Sequence, residues 1–139
     1  MMTFSVEVVD EAGYGLLSRE EATRICAQTF AARGLELDRL GEVSVALVDL
    51  PTIRNLNLKY RGIDSPTDVL TFTIDGMYGE MAGEIVIAPG YVGGEASAVE
   101  ELVVHGALHM SGMDHGEEFE GSEMFRVQEA VLRELRERG

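Results

Sequence analysis

All of the histidines in this chain fall in one stretch, HGALHMSGMDH, at positions 105, 109 and 115. His105 and His109 are four residues apart, so on a helix both imidazoles leave the same face. Gly112 then permits a sharp turn that folds His115 back toward them. Three neutral imidazole nitrogens at about 2.0–2.1 Å suit Zn²⁺ and leave a fourth tetrahedral position open. An open position indicates catalysis rather than structural stapling, since zinc lowers the pKa of water held there toward ~7. Asp114 either orients one of these imidazoles or simply stabilises the turn, and both readings stand.

The positions of His105, His109, Gly112 and His115 match the metzincin pattern H-E-x-x-H-x-x-G-x-x-H, but Gly106 stands where that pattern has its general-base glutamate. The spacing says metal; the missing carboxylate says not an ordinary peptidase. A second cluster is basic: Arg54, Lys59 and Arg61 share one predicted helix. A guanidinium at Arg61 can grip a phosphate bidentately and stabilise charge developing on its oxygens. It can equally end the helix in a solvated salt bridge.

The elements that must position these groups read as follows. TFSVEVVD (3–10) alternates like a half-buried strand. Ser18 and Glu21 form a capping box opening a helix that ends near Gly34 and carries Ala22, Ile25, Cys26 and Phe30 inward. GEVSVALVDL (41–50) is a central strand, and Pro51 starts a helix to Gly62 with Ile53, Leu56 and Tyr60 facing the core. DVLTFTI (68–74) and GEIVIAP (83–89) form a hairpin across the glycine-rich GMYGE, and GYVGGEAS is a loop. Ser97 and Glu100 form a second capping box for the histidine helix. The last helix begins near residue 117, burying Met124, Val127, Val131 and Leu135. The order βαβαββαα predicts an α+β, or mixed α/β, single domain over 1–139, a small mixed sheet of about four strands packed with helices.

Composition narrows the function. Eleven basic and 25 acidic side chains give a net charge of −14, which excludes general coating of nucleic acid but not a local basic cleft. No apolar run approaches the ~20 residues of a membrane span, and the N-terminus has no signal-peptide pattern. Cys26, the single cysteine, cannot form an internal disulfide. A cytoplasmic protein without membrane association is expected.

HGALHMSGMDH resembles the HGxLHLxGYDH signature of the YbeY family of endoribonucleases, bacterial factors for ribosomal RNA maturation. LNLKYRGIDSPTDVLTF (56–72) is similar to that family's LNxxYRxxDxPTDVLSF, and GEIVI to its GDIxI strand. The resemblance covers most of Leu56 to His115. Met113 departs from the usual tyrosine, Ser111 from a common leucine, and the loop between Ile87 and Glu100 is shorter. The resemblance implies that His105, His109 and His115 bind one zinc ion per chain and that Arg61 is the catalytic or RNA-binding arginine. It implies a zinc-dependent, single-strand-specific endoribonuclease of ribosomal RNA maturation and small-subunit quality control. The partners it implies are precursor ribosomal RNA, proteins of the small subunit and the GTPase Era. Two other readings remain: a different metal-dependent hydrolase, and a non-catalytic assembly factor using zinc to order the 105–115 turn. The nucleophile is expected to be zinc-activated water. A ribose 2′-hydroxyl, with Glu84 or Asp114 as base, is the alternative.

Overall fold

The computed structural model describes residues 4–35, 40–75 and 81–138. Its elements follow the predicted order: β1 (Ser5–Val9), α1 (Arg19–Ala32), β2 (Leu40–Leu47), α2 (Leu50–Arg61), β3 (Val69–Asp75), β4 (Met81–Ile87), a 3-10 turn (Pro89–Val92), α3 (Ala96–Met110) and α4 (Glu123–Arg138). The GMYGE connection and Thr3 lie outside the described residues.

Local capping decides most boundaries. Ser18 accepts from the Glu21 amide at 3.0 Å, and Glu21 Oε1 accepts from the Ser18 amide at 3.1 Å, which is the predicted capping box. β2 stops at Leu47, short of the predicted residue 50, because Asp49 caps the Thr52 amide at 2.9 Å and commits Leu50 onward to helix. The second predicted capping box does not form. Glu95 is the cap residue of α3, without a side-chain bond, and Ser97 already sits inside the first turn. Glu100 is engaged electrostatically with Glu21 and Arg24 of α1 and Arg136 of α4 instead. α4 starts at Glu123 rather than 117, where Ser122 Oγ accepts the Phe125 amide at 3.1 Å. Residues 117–122 form a loop that turns Phe119 toward the histidines.

The sheet order is β1-β2-β4-β3. β1 and β4 run parallel to β2, while β3 pairs antiparallel with β4 as the predicted hairpin. Alternate strand residues divide the interior into two layers. Val6, Val43, Val45, Ile85 and Ile87 face α1, α3 and α4. Ala46, Leu70, Val86 and Ala88 face α2 through Ile53. α3 is apolar on several sides, with Val99, Val103, Val104, Ala107 and Leu108 fully buried, because sheet and helices enclose it.

α2 departs from expectation at its end. Ile53 is buried and Leu56 partly so, but Tyr60 is exposed, and Asn57 takes the inward place with its amide donating to the Ser65 carbonyl at 2.9 Å. The last turn of α2 reaches the rim of the sheet at edge strand β3, where the Tyr60 ring meets Phe72. Among the described residues no helix is long and apolar enough to cross a membrane.

Candidate metal centre and active-site cleft

The three histidines converge. One ligand nitrogen from each of His105, His109 and His115 lies within 4.8 Å of the others. α3 supplies the first two at i and i+4. Gly112 follows its C-terminus with φ of 99°, a left-handed conformation that a side chain would strain, and this turn returns His115. Phe119 closes the group from outside, its centroid 4.8 Å from His105 and 4.9 Å from His115.

Each ring is also oriented. Nδ1 of His105 lies 3.0 Å from the Gln128 amide oxygen, Nδ1 of His109 lies 3.1 Å from the Met113 carbonyl, and Nδ1 of His115 lies 2.8 Å from the Gly116 carbonyl. These oxygens only accept, so Nδ1 carries the proton in every ring and Nε2 keeps its lone pair. Burial is the main cause that holds His105 and His109 below the ordinary histidine range, against the bonds to Gln128 and Met113. Both therefore favour the neutral, ligating form. The partial negative charge at the C-terminal end of α3 also favours a cation there. Oriented imidazoles without thiolate or carboxylate fit a borderline divalent transition metal.

The structure explains Gly106. A Cβ at this position would stand 2.6 Å from Ile85 Cγ2, in the buried core. α3 sits so close to β4 that even a methyl group is excluded, and a general-base glutamate far more so.

The histidines open onto a cleft of about 1010 Å³ that runs along β3. Arg61 lines it from the end of α2, and its positive charge acts on His109. The predicted basic cluster is divided. Arg54 is turned away into an exposed ion pair with Asp64 at 2.8 Å, and Lys59 lies over the Tyr60 ring, 5.1 Å from its centroid. Neither lines the cleft. Asp114 lines it but is 87% exposed and 3.9 Å from His109 Nδ1. Its 2.8 Å bond is to the His115 amide, which favours the turn-stabilising reading. Glu84 is exposed and shares the strand parity of Val86, so it lies on the α2 face of the sheet, outside the cleft.

Besides Phe119, two residues at the site are not among the candidates that the sequence supplies. Gln128 is buried on α4; a polar side chain among Met124, Val127, Val131 and Leu135 was the available signal. Asp68, half-buried in the cleft, acts on His105 through its charge. Its Oδ1 accepts from the Val69 amide at 2.7 Å, and Oδ2 has no hydrogen-bond partner among the described residues. In sequence it stands at the start of a predicted strand, within the PTDVLTF segment of the family-like motif, with nothing local to mark it as part of the site.

A family model described as endoribonuclease YbeY matches residues 16–136. The chain belongs to that family. Endoribonuclease YbeY of Rubrobacter xylanophilus is 56% identical over 138 residues, covering 99% of this chain and 100% of that protein. Endoribonuclease YbeY of Mycolicibacterium paratuberculosis is 30% identical, over 94% of this chain and 82% of its own. A solution structure of a Thermotoga maritima protein matches 96% of this chain and 89% of its own, at 29% identity and a TM-score of 0.51. Membership in the YbeY family assigns the chemistry to the hydrolases that cut RNA internally.

Proposed function

We propose that residues 1–139 act as one catalytic domain, a zinc-dependent endoribonuclease that cuts single-stranded RNA in ribosomal RNA maturation and small-subunit quality control. The observation that carries this reading is the convergence of three oriented histidines within 4.8 Å, with Arg61 lining the same cleft. His105, His109 and His115 would hold the ion through Nε2. When bound, such an ion supplies Lewis acidity beside the scissile phosphate. Arg61 binds that phosphate and offsets the charge that grows on its oxygens. Asp68, half-buried in the cleft with its Oδ2 unpartnered among the described residues, takes the proton of an attacking oxygen. It takes the place of Glu84, which lies on the other face of the sheet.

Gly106 speaks against the peptidase alternative, because its helix lies too close to Ile85 for a base at that position. Precursor ribosomal RNA is the substrate of this proposal, with proteins of the small subunit and the GTPase Era as partners, in the cytoplasm.

The test pairs metal content with two substrates. Wild type should hold one equivalent of zinc, and His109→Ala should hold far less. RNA should be cut and casein left intact, with cleavage abolished by a chelator and restored by zinc. Equal zinc in both proteins would remove the metal centre, and RNA cleavage that survives chelation would remove the metal from the chemistry.

A further inference from the structure

The cleft that the histidines line is poorly built for holding phosphates. Arg61 is its one Lys or Arg among the described residues, and it shares the cleft with the carboxylates Asp68 and Asp114. In a chain of net charge −14, counterion release contributes little to holding RNA. Affinity for a strand needs another source, and two features of the opposite wall supply one.

The first is Tyr60. It precedes Arg61 at the end of α2, lines the cleft and is 55% exposed. Phe72 meets its ring edge-on, with centroids 5.0 Å apart and planes at 65°, which props the ring at the cleft without covering it. The Lys59 ammonium over the ring sits on a long, exposed side chain that can yield its place to a base and remain beside the strand.

The second is the open edge of β3. The Ala88 amide donates to the Asp68 carbonyl at 2.9 Å, so in this antiparallel pairing Leu70 and Phe72 exchange bonds with β4. Val69, Thr71 and Thr73 turn their backbone groups outward. The Val69 amide is taken by Asp68, while Thr71 and Thr73, both lining the cleft, keep theirs unpaired among the described residues. A flat aromatic surface beside unpaired backbone donors and acceptors suits a nucleobase whose faces and edges are both free.

We propose that Tyr60 is a stacking platform for an unpaired base adjoining the phosphate at Arg61, and that the outward edge of β3 hydrogen-bonds the same strand. This rests on the endoribonuclease reading and adds a determinant of its specificity. A base inside a duplex is stacked on both sides and its pairing edge is occupied, so it can engage neither group. Base–aromatic stacking accounts for a change on the order of 10- to 100-fold in affinity.

The experiment uses short RNA oligonucleotides carrying 2-aminopurine at each position in turn, titrated into metal-free protein and followed by fluorescence. Cleavage of the plain RNA by zinc-loaded wild type is run alongside. Wild type should quench one position strongly. Tyr60→Leu keeps an apolar contact with Phe72 but has no aromatic face, and should lose that quenching and bind 10- to 100-fold more weakly; Tyr60→Phe should retain both. An abasic nucleotide at the quenched position should cost wild type the same factor and Tyr60→Leu nothing further. Equal binding by wild type and Tyr60→Leu, or an abasic penalty identical in both, overturns the platform and leaves the endoribonuclease reading standing. RNA neither bound nor cut by wild type overturns that reading and the platform with it.

Discussion

The Gln128 amide oxygen on α4 lies 3.0 Å from Nδ1 of His105 on α3, so the last helix of the chain sets which nitrogen of the first histidine keeps its lone pair. Groups that orient a ligating imidazole typically change metal affinity 10- to 100-fold when removed. Gln128→Leu, close in size and apolar, should weaken zinc binding by about that factor. Competition against a chromogenic chelator measures it, with circular dichroism to confirm the fold. An unchanged affinity would make the contact mere packing.

Arg61→Ala should lower kcat by on the order of 10²–10³ with zinc content unchanged. Arg61→Lys should recover only part, because an ammonium restores charge without the planar fork. Arg54→Ala serves as the contrast and should leave cleavage unaffected, since Arg54 is committed to Asp64 outside the cleft. Steady-state kinetics on one single-stranded RNA compares all three. A larger loss at Arg54 would place the phosphate on the wrong arginine.

Gly106→Ala should destabilise the fold by about 1–3 kcal/mol, because its new methyl group collides with Ile85. Ile85→Ala is destabilising for the opposite reason, since it leaves a cavity. Combined, the two should cost less than their sum, as each relieves the other. Urea denaturation of the four proteins reads out the cycle, and strict additivity would show that the helix has shifted instead.

Glu100 carries a pH dependence. Burial, and then repulsion from Glu21, raise its carboxyl above the usual range, against the pull of Arg24 and Arg136. The folded state therefore holds this proton more tightly than the unfolded chain does. The associated stability is present at acid pH and is lost as pH rises through the folded value. Glu100→Gln should thus be more stable than wild type at neutral pH, by a few tenths of a kcal/mol for so solvent-screened a group. The gap should close near pH 4.5, the ordinary glutamate value. A gap that widens on acidification would reverse the sign.

Attack by water at phosphorus, with Asp68 taking its proton, breaks the bond to O3′, which takes up a proton from solvent, and leaves a 3′-hydroxyl and a 5′-phosphate. An RNA with one 2′-deoxy sugar at the cut site should then be cleaved normally, and Asp68→Asn should be slower by on the order of 10²–10⁴. Mass spectrometry of the product ends settles the route. A 2′,3′-cyclic phosphate, with the deoxy substrate bound but uncut, would assign the attack to the 2′-hydroxyl.

The relations legible in the sequence are local. The Ser18–Glu21 box, the start of α2 near Pro51, and two histidines on one helical face are relations within four residues, fixed by backbone geometry wherever the chain then goes. The element order and the return of His115 at Gly112 followed from the same short-range rules. Where local signals competed, they failed: Ser97 offered a cap that helix α3 had already passed, and residues 117–122 had a helical look but serve to carry Phe119. Which distant side chains meet depends on packing. Arg54, Lys59 and Arg61 were equivalent as charges in sequence, yet Asp64 and Tyr60 engaged the first two and left Arg61 to the cleft. Gln128 reaches His105 across 23 positions, and Asp68 reaches its neighbourhood across 37. Such pairings depend on how the helices and the sheet edge pack together, and helical or strand periodicity carries no record of that.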